Sequence, residues 1–146
     1  MHLKKYVIYL KIMEVKEKKE KNDIPHFPRK GKMVPKAWGY ELWIHNSEAY
    51  CGKLLVFKKD AKFSMHYHLL KEETWYVSSG SFYYHFIDTN EGKKYKIMID
   101  EGDVIDLKQG QPHQLQATTE GSTIFEVSTQ HFDEDSYRVL PGDSQK

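Results

Sequence analysis

A chain of 146 residues with 39% hydrophobic, 14% aromatic and 29% charged residues has the make-up of one globular domain, and two full domains do not fit in it. Lys and Arg number 22 against 21 Asp and Glu, but residues 1–36 hold 11 Lys/Arg and 4 Asp/Glu, a net of +7, which leaves −6 on the remainder. The single Cys51 excludes an intramolecular disulfide, and the longest early apolar run, Tyr6–Leu10, is too short for a secretory signal or a membrane span, so a cytoplasmic protein is expected.

In chain order, residues 1–35 read as a basic N-terminal arm. Charge signs alternate through Glu14–Lys21, the pattern of a solvated face, and no nucleic-acid-binding module accompanies them. Neither nucleic acid nor a membrane is therefore expected as a partner. Pro25, Pro28 and Pro35 each rule out a continued helix or a central strand. The partly apolar stretch Tyr6–Met13 has too little context to bury itself, so it is expected to pack on a second copy in a two-fold homodimer.

Residues 36–130 read as a barrel of short strands. The alternation of apolar and polar residues predicts strands at Tyr40–His45, Gly52–Phe57, Lys62–His68, Thr74–Val77, Ser81–Ile87, Lys94–Ile99, Val104–Leu107, His113–Ala117 and Thr123–Ser128. Turn-forming sets separate them, among them Ser79-Gly80, Asn90-Glu91-Gly92, Glu101-Gly102-Asp103 and Glu120-Gly121. Short strands without crossover helices point to an all-β antiparallel barrel or jelly roll. Residues 131–146 read as a tail, in which the acidic Asp133–Tyr137 forms one helical turn.

The chemistry begins at Ser64-Met65-His66-Tyr67-His68. On a strand, side chains repeat with period two, so His66 and His68 face the same way and can grip one ion. Glu73 opens the following strand and offers a hard oxygen, with Trp75 and Val77 on its face. Forty residues later, Gly102 and Gly110 permit tight backbone around a short strand, and Pro112 presents His113 at a strand start. Three imidazoles and one carboxylate make a candidate site for one divalent metal per chain, Zn, Mn, Fe, Ni or Co, with a position left for substrate.

The string H-x-H-x4-E-x6-G, His66 to Gly80, followed by G-x7-G-x2-H, Gly102 to His113, resembles the paired signature of the cupin superfamily. Asp60 stands where the first motif opens with Gly, and Lys108 where the second has Pro. The resemblance implies a double-stranded β-helix, or jelly-roll, barrel with His66, His68, Glu73 and His113 as metal ligands. Within cupins, Lys36-Ala-Trp38-Gly39-Tyr40-Glu41, then Phe63-Ser64-Met65-His66-Tyr67-His68, Glu73-Thr74-Trp75 and Glu126-Val127-Ser128-Thr129 look like the cupin part of the type II phosphomannose isomerases and their small relatives. His68, Glu73, Trp75 and His113 match that family, and His66 replaces a Gln. Leu69 and Leu70 stand where it has histidines, Lys71 where it has Arg, and Thr74 where it has His.

The resemblance implies an isomerase or epimerase of a sugar phosphate. Such a reaction moves a proton between adjacent carbons through an enediolate, whose charge a divalent cation neutralises while a base carries the proton. Glu126 is the first candidate base; strand parity leaves open whether it faces inward with Ile124 and Ser128 or outward. A phosphate needs cations, for which Lys62, Lys108 and Arg138 are candidates, with Lys36 or Lys53 as helpers. Lys62 shares strand parity with His66 and is expected to point inward. Trp75 is the expected pocket wall, whereas His85 is set on the face opposite Phe82, Tyr84 and Phe86 and is not counted as a ligand. Two other classes share the ligand set, an Fe(II) dioxygenase and a non-catalytic carbohydrate-binding module.

Overall fold

The computed structural model describes residues 28–146, and the compact unit begins at Gly31. The stretch Tyr6–Met13 lies outside the described residues. Eleven strands follow: β1 Lys32–Lys36, β2 Gly39–Asn46, β3 Cys51–Phe57, β4 Met65–Tyr67, β5 Glu73–Ser79, β6 Ser81–Asp88, β7 Lys93–Asp100, β8 Val104–Leu107, β9 His113–Ala117, β10 Ser122–Ser128 and β11 Tyr137–Leu140. They form two antiparallel sheets of a jelly roll, ordered β1-β2-β3-β10-β5-β8 and β11-β4-β9-β6-β7.

Alternation decides which face each strand buries. Leu55 and Phe57 of β3, Trp75 and Val77 of β5, and Ile124 of β10 turn inward from the six-stranded sheet; Phe82, Tyr84, Leu115 and Ala117 meet them from the other, with Trp38 and Phe63 completing the core. Trp38 stacks on Phe57 with ring centroids 4.4 Å apart. Gly39 has φ +148° and lies so close to Val56 that a Cβ would stand 1.9 Å from its carbonyl oxygen, which explains glycine where β1 turns into β2.

Three elements differ from the sequence reading. Lys32–Lys36, mostly assigned to the arm, pairs with β2 as an edge strand, where Pro35 has no inward ladder bond to make. The expected strand Lys62–His68 is interrupted: Lys62 makes an isolated bridge to Gln116, and only Met65–Tyr67 forms continuous strand. The acidic tail gives one 3₁₀ turn, Asp133–Asp135, as expected, but Tyr137–Leu140 then joins the second sheet beside β4. Asp143 ties this end down, accepting from the Lys62 N–H at 2.8 Å and donating its own N–H to the Lys62 carbonyl.

Candidate metal centre

Cross-strand pairing assembles the imidazoles. His66 on β4 lies directly opposite His113 on β9 on one side and Arg138 on β11 on the other. His68 follows at the end of β4. One ring nitrogen from each of His66, His68 and His113 lies within 4.8 Å of the others.

All three rings are oriented through their other nitrogen. His66 Nδ1 donates to the Ser64 carbonyl at 2.8 Å, His113 Nδ1 to the Gln111 carbonyl at 2.8 Å, and His68 Nδ1 to the Asp135 carbonyl at 2.6 Å. A donor at Nδ1 leaves the lone pair on Nε2, and this bond is the one that metal-ligating histidines make outward. His68 Nε2 and His113 Nε2 are buried without a hydrogen-bond partner. Burial holds the His66 imidazole well below its usual pKa, helped by the neighbouring His113 and His68, and burial with the Lys71 charge pushes His68 down to about 4. His66 and His68 are therefore neutral at physiological pH, the state that binds a cation.

Glu73, first residue of β5, points its Oε1 at the same spot, 3.0 Å from His113 Nε2 and 3.8 Å from His68 Nε2. Two lone-pair atoms facing each other at that range repel unless a cation lies among them. The orphaned nitrogens and this carboxylate oxygen therefore fit a divalent ion. Glu73 Oε2 is neutralised separately by Lys71 Nζ at 2.5 Å, and Lys71 also reaches Glu126 Oε1 at 3.0 Å. Although burial opposes it, the Lys71 charge holds Glu73 well below the usual carboxylate range. Glu126 is pushed up, by burial first, against the pull of Lys71.

The loop that carries His68 and Lys71 is clamped from the C-terminal segment. Asp135 accepts from the N–H groups of Leu69 (2.8 Å), Leu70 (3.1 Å) and Lys71 (2.9 Å) while its own carbonyl holds His68. Asp135 is buried; three consecutive donors converging on one carboxylate fix the loop geometry.

These groups line a cavity of about 360 Å³. It contains His66, His68, Glu73, His113, Glu126, Trp75 and Arg138 of the sequence-derived candidates, together with the helper cations Lys36 and Lys53. Trp75 is buried with its ring 5.1 Å from His113, edge to face. The parity left open for Glu126 resolves inward, beside Ile124. Lys62 and Lys108 are not among the lining residues. The break between Lys62 and Met65 resets the alternation, and Lys62 instead acts electrostatically on His85. Lys108 borders a shallow depression with Thr74 and Asp106. Lys71, Glu41 and Asp135 line or brace the site without having been assigned to it. Lys53, expected as a helper cation, faces inward because it alternates with Cys51, Leu55 and Phe57.

A family model described as cupin matches residues 40–141. The chain belongs to the cupin family. Similar solved cupin-fold structures include the capsular polysaccharide assembling protein CapF from Staphylococcus aureus, with TM-score 0.68 and 17% identity over 79% of this chain and 34% of that one. Oxalate decarboxylase from Bacillus subtilis has TM-score 0.66 and 22% identity over 75% of this chain and 30% of that one. This cupin thus spans about a third of the length of either protein, and at such identities the likeness establishes the fold alone. No curated protein sequence matches the chain. Among the described residues, no helix is long and apolar enough to cross a membrane.

Proposed function

We propose that this cupin is a divalent-metal-dependent isomerase or epimerase of a sugar phosphate, with His66, His68, Glu73 and His113 as ligands. The observation that carries the reading is the buried Glu126, held at 3.0 Å by Lys71 beside the converging imidazoles and open to the same cavity. A carboxyl group pushed up in pKa next to a metal position is suited to taking a proton from carbon and returning it to the neighbouring carbon. When bound, a divalent ion supplies electrophilic stabilisation of the negative charge that develops on the substrate oxygen. Lys71 holds Glu126 in place, Trp75 forms the wall beside it on the neighbouring strand, and Arg138 stands exposed at the mouth.

The charge of the cavity supports an anionic substrate. Lys36, Lys53, Lys71 and Arg138 offset Glu41, Glu73, Glu126 and Asp133, so a divalent ion would leave the lining with a net +2. Elemental analysis of wild type beside the H66A/H68A double variant, with proton NMR in D₂O on aldose and ketose phosphates, tests the reading. Metal of roughly one ion per chain, lost in the double variant, is expected, with deuterium washing into the carbon beside the carbonyl. E126Q should keep the metal and lose the exchange. Metal-loaded protein that exchanges no sugar phosphate overturns the isomerase reading, and oxygen uptake by the iron-loaded form would replace it with oxygenase chemistry.

A homodimer is proposed on the outer face of the six-stranded sheet. Tyr76 lies in register with Val104, and both are exposed together with Val127. A single-chain mass in light scattering would overturn it.

A further inference from the structure

The same cavity holds a second polar cluster two strands away from Glu73. Across the six-stranded sheet, Trp75, Glu126, Lys53 and Trp43 stand in one lateral row. At about 4.8 Å per strand, the Lys53 backbone is about 10 Å from that of Trp75. Lys53 is 2% exposed. Its ammonium lies 4.4 Å from the Trp43 ring centroid and 3.6 Å from Glu41 Oε2, and among the described residues no acceptor comes within hydrogen-bonding distance. That Glu41 oxygen already accepts from Trp43 Nε1 at 2.6 Å, and Glu41 Oε1 is 3.5 Å from Lys36 Nζ. Two lysines thus share the Glu41 carboxylate at 3.5 and 3.6 Å, which leaves ammonium donors unused. An ammonium on so buried a side chain, met by carboxylate only at 3.6 Å and lining the cavity, keeps N–H donors for an anionic guest.

His131 indicates which anion. Its ring packs edge-on against Trp43 at 5.1 Å, and its Nε2 meets Asp133 Oδ1 at 3.0 Å. A carboxylate only accepts, so Nε2 carries the hydrogen and the buried Nδ1, which has no partner, presents a lone pair. The cluster offers ammonium donors and one acceptor nitrogen. A singly protonated phosphate monoester supplies the complement: acceptor oxygens for the ammonium groups and one P–OH donor for the ring nitrogen. An ionised carboxylate has no such donor.

We infer that Lys53, Lys36 and His131 form the subsite that holds the phosphate of the substrate, which places the reacting carbons toward the imidazoles. As a substrate assignment this rests on the function proposed above, but oxyanion binding by the cluster does not require the metal.

Calorimetry on the full chain, stripped of metal, with glycerol 3-phosphate and with glycerate at about pH 6 tests the inference. Glycerol 3-phosphate should bind, with glycerate at least about tenfold weaker. Lys53→Met and Lys36→Met should each weaken the phosphate ester by about tenfold or more, while Lys94→Met on β7, outside the cavity, leaves it unchanged. No binding of glycerol 3-phosphate, equal binding of glycerate, or wild-type affinity in Lys53→Met overturns the subsite. If Lys53→Met does not fold, Lys36→Met decides the matter in the same way. Phosphate-ester binding without any deuterium exchange would leave the subsite standing and remove the isomerase reading, and the reverse result would separate them the other way.

Discussion

Lys71 joins the metal centre to the candidate base, and its replacement by methionine puts that arrangement under direct test. The side chain is 4% exposed and bridges Glu73 Oε2 at 2.5 Å and Glu126 Oε1 at 3.0 Å, both on buried carboxylates. Methionine matches the length but leaves two carboxylates facing each other without their shared cation. Removing one partner of a buried ion pair costs about 3–5 kcal/mol, and with two acids stranded the loss belongs in the upper half of that range, about 4–5 kcal/mol. For a domain of this size that corresponds to a fall of roughly 15 °C in Tm. Urea unfolding of the metal-free protein, followed by the fluorescence of Trp38, Trp43 and Trp75, measures it. K71M/E126Q, which removes one stranded acid, should recover at least about 1 kcal/mol. A divalent ion should stabilise K71M more than wild type, because it takes over the compensation of Glu73. A K71M protein within about 1 kcal/mol of wild type would refute the bridge.

Other outcomes follow from the same geometry. H68A removes one imidazole, and its metal content by mass spectrometry should fall from roughly one ion per chain to a small fraction. D135N turns an amide NH₂ toward the N–H groups of the Leu69–Lys71 loop, and metal affinity in a chelator competition should drop by about 10–100-fold, as for lost outer-sphere support of a ligand histidine. For Glu41, burial raises the pKa, but Lys53, Lys36 and the Trp43 N–H outweigh it and hold the carboxyl below its usual 4.5. A depressed folded pKa gives stability that is present above the unfolded value and lost as pH falls through the folded one. Between about pH 6 and about pH 3, E41Q should therefore lose less stability than wild type in urea titrations, and parallel curves would sink the assignment.

Much of this cupin is legible along the chain. Period-two alternation marks β3, β5, β6, β9 and β10, because each buries one face against the same core, and local burial is what alternation records. The spacing His66-x-His68, Glu73 at a strand start and Pro112 ahead of His113 likewise announce a site, since the residues that build it carry local backbone signals. Lys53 was legible by the same parity, on the inward face with Leu55.

The rest depended on contacts between distant residues. Asp135 orients His68 and Lys71 across separations of 67 and 64 residues, a relation that no local pattern encodes. Lys71 sits in a loop, where neither strand nor helix period predicts direction, and only the approach of β5 and β10 places Glu73 and Glu126 on either side of it. Lys62 shows the limit of parity itself: alternation carries through continuous hydrogen-bonded strand and is lost where the chain leaves the sheet between Lys62 and Met65. Strand character and the metal-ligand spacing were therefore determined by neighbours in sequence, while the inward face of Glu126, the clamp on the loop and the cations that reach the cavity were decided by how the two sheets close.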